Sequence, residues 1–302
     1  MKKFILLVLI ICMTNKSFGQ TVFQIFQKNV GLIEYSYSDS LTHKSIGTGT
    51  ILFKPLDGRK NFGYDFIITN KHVLPTFTQS RTVEFSIANP DSSNTPFTKI
   101  TIPIFQPDGK YDVHVLVSND EDLAVIEISK LIGSTEKNSK HDRIIYYNLL
   151  ATKDTLRKRN ISIGDNVFFI GYPSFFYEKN NISPVLRTGY IATDPLKPYF
   201  FNTYLKTYFG RDVLNGFLID ANVFGGSSGS LVCLYPTLTN QLSDGHLELQ
   251  TTKSDPWILG ILTESYYDIG TKQAYSQRVN IGGVISSDKI LELINRYSYR
   301  NP

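Results

Sequence analysis

The amino-acid sequence predicts an all-β protein. Aromatic residues make up 13% of the 302-residue chain, and strands favour aromatic and β-branched residues. Short runs in which apolar and polar residues alternate recur along the chain, separated by turns rich in Gly, Pro and Asn. Helical spacing is clear only near the C-terminus, which argues against an α/β fold with a parallel sheet.

The first 19 residues predict a secretory signal peptide (residues 1–19). Lys2 and Lys3 precede an apolar stretch of ten residues, and small residues occupy the −3 and −1 positions of a cleavage site after Gly19. A membrane-spanning helix needs roughly 20 apolar residues, so we expect no stable membrane anchor after signal cleavage. The expected location is outside the cytoplasm, either the periplasm or the exterior of the cell.

Charge and cysteine content exclude several kinds of partner. The formal net charge is +4, and loss of the three signal-peptide lysines lowers it to +1, so we expect no nucleic-acid partner recruited by bulk charge. Cleavage leaves Cys233 as the only cysteine, which we expect to be a small buried hydrophobic residue. The sequence contains no cluster with metal-ligand spacing, and we expect neither a metal nor an organic cofactor.

Residues 20–135 carry the first group of predicted strands. Apolar alternation places them at residues 49–53, 64–69, 100–104, 113–117 and 122–128. Pro107-Asp108-Gly109 lies between the third and fourth of these runs and predicts a hairpin that joins them.

Residues 136–160 are rich in charge and poor in apolar alternation, so we predict that they connect the two halves of the chain. Residues 161–285 resume the strand pattern at 166–170, 185–187, 190–192, 257–262 and 274–279. Residues 286–302 are predicted to be a helix and tail. Ser287 can cap this helix, and apolar residues recur at helical spacing at Ile290, Leu291, Ile294 and Tyr297.

A turn rich in Gly and Ser, residues 222–230, lies between two apolar runs. Its three glycines indicate backbone with positive φ or the close approach of another group. A nucleophilic serine needs such a setting, with backbone N–H groups directed at the developing oxyanion. We predict Ser228 as the nucleophile, and the N–H groups of Gly226 and Ser228 as the oxyanion donors.

A nucleophilic serine also needs an imidazole and a carboxylate that orients it. His72 ends a buried-looking strand, whereas His114 lies within an alternating run and is expected to be structural or solvated. Asp122 begins an apolar strand at the edge of the core, and the preceding Glu121 is expected to be solvated. The predicted triad is therefore His72, Asp122 and Ser228.

With these residues the sequence resembles the trypsin-like (chymotrypsin-fold) serine peptidases, particularly the bacterial exported branch related to the high-temperature-requirement proteases. The resemblance implies two packed six-stranded antiparallel β-barrels, with His72 and Asp122 in the first and Ser228 in the second. It rests on blocks in the family's order, namely Thr69-Asn70-Lys71-His72-Val73, Asp122-Leu123-Ala124-Val125, Ile170-Gly171-Tyr172-Pro173, Asp220-Ala221, Gly226-Ser227-Ser228-Gly229-Ser230 and Gly260-Ile261.

The resemblance implies a serine endopeptidase that forms an acyl-enzyme with a peptide or protein substrate. His72 would be the general base, Asp122 the residue that orients it and Ser228 the nucleophile. A strand edge would pair with the extended substrate, and a pocket would receive the residue before the scissile bond. The edge is implied at Leu262, Thr263 and Glu264, and the pocket lining at Asn222 and Val223.

The chain departs from the family pattern in two respects that concern regulation. Ser227 stands where digestive members have the aspartate that pairs with a freed N-terminus, so that activation switch is not expected. The residues after 285 are too few for the PDZ domain of the high-temperature-requirement proteases. The oligomeric state is not indicated.

Two other functions fit parts of the sequence. Residues 225–229 match the Gly-x-Ser-x-Gly nucleophile elbow of an α/β-hydrolase-type esterase with Ser227 as the nucleophile, a motif that requires a following helix. A catalytically silent trypsin-like binding module is the other alternative, because a fold and intact residues do not guarantee activity.

Overall fold

The computed structural model describes residues 22–36, 44–56, 59–89, 96–132, 145–173, 176–178, 180–203, 206–207, 210–236, 238–243, 246–253, 255–268 and 277–300. The predicted signal peptide lies outside these ranges. The described chain is mostly β, which confirms the predicted class.

Seven strands of the first half form one antiparallel sheet that is curled into a half-barrel. Its order is β5-β4-β1-β2-β3-β7-β6, so this half has one more strand than the six implied by the resemblance and is not a closed barrel. The strands are β1 (Val30–Ser36), β2 (Lys44–Leu56), β3 (Arg59–Thr69), β4 (Thr82–Ala88), β5 (Phe97–Pro103), β6 (Val115–Val117) and β7 (Ala124–Glu127).

The predicted hairpin between residues 100–104 and 113–117 is wrong. Strand β5 pairs with β4, and β6 pairs with β7, so the two runs lie at opposite edges of the sheet. The turn itself exists locally, because Phe105 and Tyr111 form an isolated antiparallel bridge. The predicted strand over 113–117 is shortened to Val115–Val117, and Val113 before it is 68% exposed.

Six strands of the second half close into a barrel of order β12-β17-β16-β13-β8-β9, as the resemblance implies. Two further pairs, β10 with β11 and β14 with β15, lie outside it. The strands are β8 (Asn166–Gly171), β9 (Val185–Ile191), β10 (Tyr199–Phe200), β11 (Val213–Leu214), β12 (Gly216–Asp220), β13 (Leu231–Leu234), β14 (Leu238–Ser243), β15 (His246–Lys253), β16 (Ile258–Asp268) and β17 (Gln277–Ser286).

Helices also accompany the strands. Helix α1 (22–27) precedes the first sheet, and α2 (Lys153–Lys158) lies in the predicted connection, where the Thr152 hydroxyl caps it by accepting from Thr155 N at 3.2 Å. The predicted C-terminal helix is confirmed as α3 (Ser287–Arg300). Its first residue, Ser287, donates its hydroxyl to the Ala151 carbonyl instead of capping the helix.

Strand β3 is buried on both faces, and this fixes the position of the residues that follow it. Phe66, Ile67 and Ile68 are all 0% exposed. Successive side chains of a strand point to opposite faces, so Phe66 and Ile68 join one core cluster and Ile67 joins another. Residue 72, shortly after the end of β3, therefore has a rigid support.

One apolar core joins the two halves. It contains residues of the first sheet such as Phe66, barrel residues such as Phe168, and Ile294 and Tyr297 of α3. The buried Tyr172 adds polar contacts, since its hydroxyl lies 3.3 Å from the Val30 carbonyl oxygen in the first half and 2.9 Å from the Ile182 carbonyl oxygen in the second. Within the described part of the chain, no helix combines the length and apolar character needed to cross a membrane.

Candidate active site

His72 lies in a single 3₁₀ turn, Lys71–Val73, directly after β3. Its backbone N–H donates to Asp122 Oδ1 at 2.9 Å, and its ring Nδ1 lies 2.5 Å from Asp122 Oδ2. The fully buried Asn70 donates from Nδ2 to the Asp122 backbone carbonyl at 2.7 Å. The structure thus brings His72 and Asp122 together. One carboxylate oxygen of Asp122 accepts from the His72 backbone, and the other contacts its ring.

Asp122 remains ionised in this setting. Burial alone would raise the pKa of Asp122, but the hydrogen bond and charge of His72 and the hydrogen bond from Thr263 together lower it below its ordinary value. Thr263 Oγ1 donates to Asp122 Oδ2 at 2.7 Å. Because a carboxylate only accepts hydrogen bonds, the Nδ1 atom of His72 carries the proton and Nε2 is left as the acceptor.

Ser228 lies in a turn whose backbone leaves two donors unused. Ser227 N donates to the Phe224 carbonyl at 3.1 Å, and Gly226 has φ of 81°, the conformation that a type II turn requires at its third residue. Neither the Gly226 N–H nor the Ser228 N–H donates to another residue in the described ranges. This is the arrangement expected of two oxyanion donors.

Gly229 follows the serine with φ of 92°, and a Cβ atom at this position would lie 1.9 Å from the Thr48 carbonyl oxygen. Both reasons for a glycine, positive φ and close approach of another chain, therefore apply at one residue. The neighbouring strand that approaches is β2 of the first half.

Thr48 joins that strand to residues 222–230, the serine turn, with two hydrogen bonds, and to Tyr172 after β8 with a third. Its N–H donates to the Ser228 carbonyl at 2.9 Å, its Oγ1 donates to the Gly226 carbonyl at 2.8 Å, and the same Oγ1 accepts from Tyr172 N at 3.0 Å. Thr48 is fully buried. Its hydroxyl therefore orients the peptide next to the Gly226 donor.

The Ser228 hydroxyl donates to the Thr263 carbonyl oxygen at 3.4 Å. No hydrogen bond joins Ser228 to His72 among the described residues. Thr263 contacts Ser228 through its carbonyl and Asp122 through its hydroxyl, so one residue of the second half links the predicted nucleophile to the carboxylate. Hydrogen bonds of catalytic groups are often long before substrate binds.

The implied substrate edge on β16 is only partly available. Leu262 uses both backbone groups on the serine turn, because its N–H donates to Ser230 O at 2.9 Å and its carbonyl accepts from Gly229 N at 3.0 Å. The assignment of Leu262 to substrate pairing is therefore corrected. Pairing of β13 with β16 ends at Leu231 and Ile261, so Glu264 and Ser265 extend past the start of β13 beside the serine turn.

The two residues implied for the pocket differ in environment. Asn222 is exposed, whereas Val223 is 5% exposed and packs in the core of the barrel. A Cβ atom added to Gly282 would lie 2.8 Å from Val223 Cγ2. The Val223 side chain therefore occupies the space that a side chain at Gly282 of β17 would need.

Glu264 forms an ion pair with Arg211 and a hydrogen bond with Tyr266. Its Oε1 lies 2.8 Å from Arg211 Nη2, and its Oε2 accepts from the Tyr266 hydroxyl at 3.0 Å. Burial, and then the charge of Glu264, raise the pKa of Tyr266. Since Arg211 balances the charge, Glu264 is not a free anion that would select a basic residue of the substrate.

Glu121 is buried, and the expectation that it is solvated is wrong. It is 6% exposed, and Asn215 of the second half donates to its Oε1 atom, while its Oε2 has no hydrogen-bond partner in the described chain. Burial raises the pKa of Glu121, against the opposing effects of Asn215, Arg211 and Lys289. Packing of the two halves, which local sequence does not reveal, accounts for the difference.

The remaining candidates lie apart from this site. His114 Nδ1 is 3.1 Å from Glu127 Oε2 and 3.4 Å from the Tyr297 hydroxyl, which suits the expected structural role. Cys233 is fully buried, as predicted, and burial raises the pKa of its thiol. In the ranges that the structure describes, no three His, Cys, Asp or Glu side chains are grouped so that they could hold a metal ion.

Two contributions at this site escaped sequence reasoning, namely the hydroxyls of Thr48 and Thr263. The signal for Thr48 is its position between Gly47 and Gly49, because small neighbours allow other chains to approach the strand. Thr263 was assigned through its backbone alone, and nothing in its local sequence indicates the bond from its side chain to Asp122.

Comparisons with known proteins give distant similarities to solved structures. No family model matches the chain, and no curated protein matches it. Among solved structures, the active form of the Rv3671c protease from M. tuberculosis is similar with 15% sequence identity and a TM-score of 0.45, over 91% of this chain and 83% of that one. A similarity at this level assigns no role to any residue, and the chemistry has to follow from the geometry of the site.

Proposed function

We propose that this protein is a serine endopeptidase with the triad His72, Asp122 and Ser228. One observation carries the proposal, namely the chain of contacts from His72 to Ser228. The Asp122 carboxylate accepts from the backbone N–H and the ring Nδ1 of His72. Thr263 links this carboxylate to Ser228, which lies beside two backbone N–H groups that have no acceptor among the described residues. An oriented imidazole, a hydroxyl and paired N–H groups are the parts that acyl transfer needs.

The reaction begins when the Ser228 hydroxyl turns from the Thr263 carbonyl to His72 Nε2. Oγ attacks the substrate carbonyl carbon as its proton passes to Nε2, and the carbonyl oxygen becomes an oxyanion held by Gly226 N–H and Ser228 N–H. The C–N bond then breaks, and the amine leaves with the proton from His72. Water repeats the sequence on the acyl-enzyme and releases the acid.

We also propose that the mature protein acts outside the cytoplasm, as an exported protease related to the high-temperature-requirement branch. The proposed signal peptide over residues 1–19 and the sequence blocks around the three triad residues support this. Its substrates are peptides or proteins, which run in extended form along the β16 edge at Glu264 and Ser265.

A fluorophosphonate probe tests the proposal, because it modifies an activated serine and is followed by mass spectrometry of the labelled peptide. We expect labelling of the mature protein at Ser228, loss of labelling in Ser228→Ala, and retention in the matched control Ser227→Ala. Ser227 is 1% exposed, so its hydroxyl is not presented to a reagent.

The alternatives predict other outcomes. Labelling at Ser227 would support the esterase, although a strand, β13, follows the turn where a nucleophile elbow needs a helix. If the correctly folded protein is labelled at neither serine, the protease proposal is contradicted and the catalytically silent binding module is favoured.

A further inference from the structure

Two phenylalanines form an aromatic surface beside the serine turn. Phe176 is 62% exposed, and its ring centroid lies 5.9 Å from that of Phe224. We call Phe176 and Phe224 together the aromatic shelf. Phe224 is partly exposed and begins the four-residue turn 224–227 that contains the proposed Gly226 donor, so the shelf is continuous with the proposed site.

The order of strands in the barrel places the shelf across the serine from the β16 edge. Ser228 precedes β13, which pairs on one side with β16 and on the other with β8. Phe176 follows the end of β8, whereas Glu264 and Ser265 belong to β16. The two surfaces therefore flank the nucleophile on opposite sides.

Arg187 holds the Phe224 ring in place. Its guanidinium carbon lies 4.4 Å from the centroid of Phe224 and 5.7 Å from that of the buried Phe169, which is its cross-strand neighbour. A cation over an aromatic face is attracted by the ring quadrupole. Arg187 thus restrains the Phe224 ring from the side of the barrel. Because this ring is held in place before a ligand arrives, the aromatic shelf offers a preorganised apolar surface.

We propose that the aromatic shelf binds an apolar side chain, best an aromatic one, of the substrate residues that follow the scissile bond. A carbonyl carbon bound at Ser228 has its acyl substituent and its leaving group on opposite sides. If the acyl half pairs with Glu264 and Ser265, the leaving half passes over Phe176. This inference rests on the proposed function and adds to it the substrate preference on the leaving-group side.

Acyl transfer to added amines measures binding on the leaving-group side separately from binding of the acyl half. The mature protein is acylated with a p-nitrophenyl ester of a short acyl peptide, in the presence of competing amines. An amine nitrogen attacks the ester carbonyl of the acyl-enzyme, the C–N bond forms, the bond to Ser228 Oγ breaks, and the amine proton passes through His72 to Oγ. The amide products, measured by mass spectrometry, report which amine the leaving-group side binds.

The amines are phenylalaninamide and glycyl-phenylalaninamide, each in competition with its all-glycine counterpart, so that either of the first two leaving-group positions can reach the shelf. We expect the phenylalanine amine to be favoured in at least one pair. In Phe176→Ala that preference should fall by roughly two- to tenfold, the factor that an aromatic pair contributes beyond simple burial.

Phe62→Ala is the matched control. Phe62 is also an exposed phenylalanine, at 46%, but it lies near the start of β3. At 3.3 Å per residue it is about 23 Å from Thr69, which ends the strand just before His72. The control should keep the preference of the parent protein, and all three proteins should show the same melting temperature.

The outcomes separate this inference from the proposed function. Acylation at Ser228 with equal capture of both amines, or a preference that Phe176→Ala leaves intact, would overturn the aromatic shelf and leave the protease. No acylation at Ser228 would overturn both.

Discussion

In the proposed mechanism, Asp122 fixes the ring orientation of the general base His72 and the position of its Nδ1 proton. The carboxylate receives the backbone N–H, the Nδ1 proton and the Thr263 hydroxyl, so three donors converge on one ionised group. Its lowered pKa means that ionised Asp122 stabilises the fold above the unfolded-state pKa of an aspartate, and that this stabilisation is lost as the pH falls through the folded pKa.

We expect Asp122→Asn to lower kcat by about 10⁴-fold, because an amide in this place favours the wrong imidazole tautomer. Steady-state hydrolysis of a peptide substrate measures the effect, and the melting temperature shows that the fold is retained. Asp120→Asn is the control, since Asp120 is an exposed neighbour and should leave kcat unchanged. Near-normal activity of Asp122→Asn would contradict the assignment.

Glu121, the preceding residue, has the opposite effect on stability. Its pKa is raised chiefly by burial, so the folded protein binds a proton more readily than the unfolded chain does. Stability therefore decreases as the pH rises from the unfolded-state pKa through the folded pKa, and at neutral pH the buried carboxylate is destabilising.

Glu121→Gln should accordingly raise the free energy of unfolding at pH 7.5 by about 1 kcal/mol, the order of the penalty for a buried polar atom without a partner. Melting curves recorded between pH 4 and pH 8 should show the gain shrinking towards acid, where Glu121 is neutral in the parent as well. A variant that melts lower than the parent at pH 7.5 would refute this reading of the site.

Among the elements, β2 has a role beyond its place in the first sheet. It reaches the serine turn of the other half through Thr48, which bonds the Gly226 and Ser228 carbonyls. The Gly226 carbonyl shares one peptide plane with the Ser227 N–H, between the two proposed donor residues. The Thr48 hydroxyl therefore restrains the backbone that presents the proposed oxyanion donors, without contacting substrate. Thr48 is thus a positioning residue.

Thr48→Val keeps the shape of the side chain and removes the hydroxyl, whereas Thr48→Ser keeps the hydroxyl. We expect the valine variant to lose about 1–3 kcal/mol of stability, as two polar groups lose a partner, and to lose kcat with KM little changed. The serine variant should recover most of the kcat. Equal kcat in both variants would show that the hydroxyl only supports packing.

The elements also show where local sequence is sufficient and where it is not. Apolar runs located β3 and β8 because both strands are buried on both faces, and helical spacing located α3. The partner of β5 was mistaken because pairing depends on the order of strands in the sheet, which a turn such as 107–109 does not report. Helix α1 has too few residues to show a helical period.

The same division holds at the site. His72, Asp122 and Ser228 stand next to recognisable strands or turns, so their pattern was visible. The burial of Glu121 and the hydroxyl contacts of Thr48 and Thr263 arise where the two halves meet, between residues far apart in the sequence. Only the folded chain brings those residues together.

For the whole molecule, the two halves share one core, and α3 lies against strands of both, namely β6, β7, β16 and β17. Ile294 of this helix is fully buried. The C-terminal helix therefore supports the packing of the first sheet on the barrel, and the halves should unfold together.

We expect Ile294→Ala to lower the free energy of unfolding by about 2–5 kcal/mol, as truncation of a buried isoleucine does. Asn295→Ala, at the next, exposed position, removes only a hydrogen bond from Lys54 and should have little effect. Denaturant unfolding followed by Trp257 fluorescence and by residual hydrolysis should give coincident single transitions. Separate transitions would contradict a shared core.

The bond from Thr48 to the serine turn also has a consequence for the timing of activity. His72 and Asp122 belong to the part of the chain that is synthesised first, but the turn that carries Ser228 takes its final shape against a strand of that earlier part. A chain in which the second half has not docked lacks a working oxyanion site. In the proposed protease, proteolysis would thus begin only when folding is complete, and an unfinished molecule would not cut its neighbours.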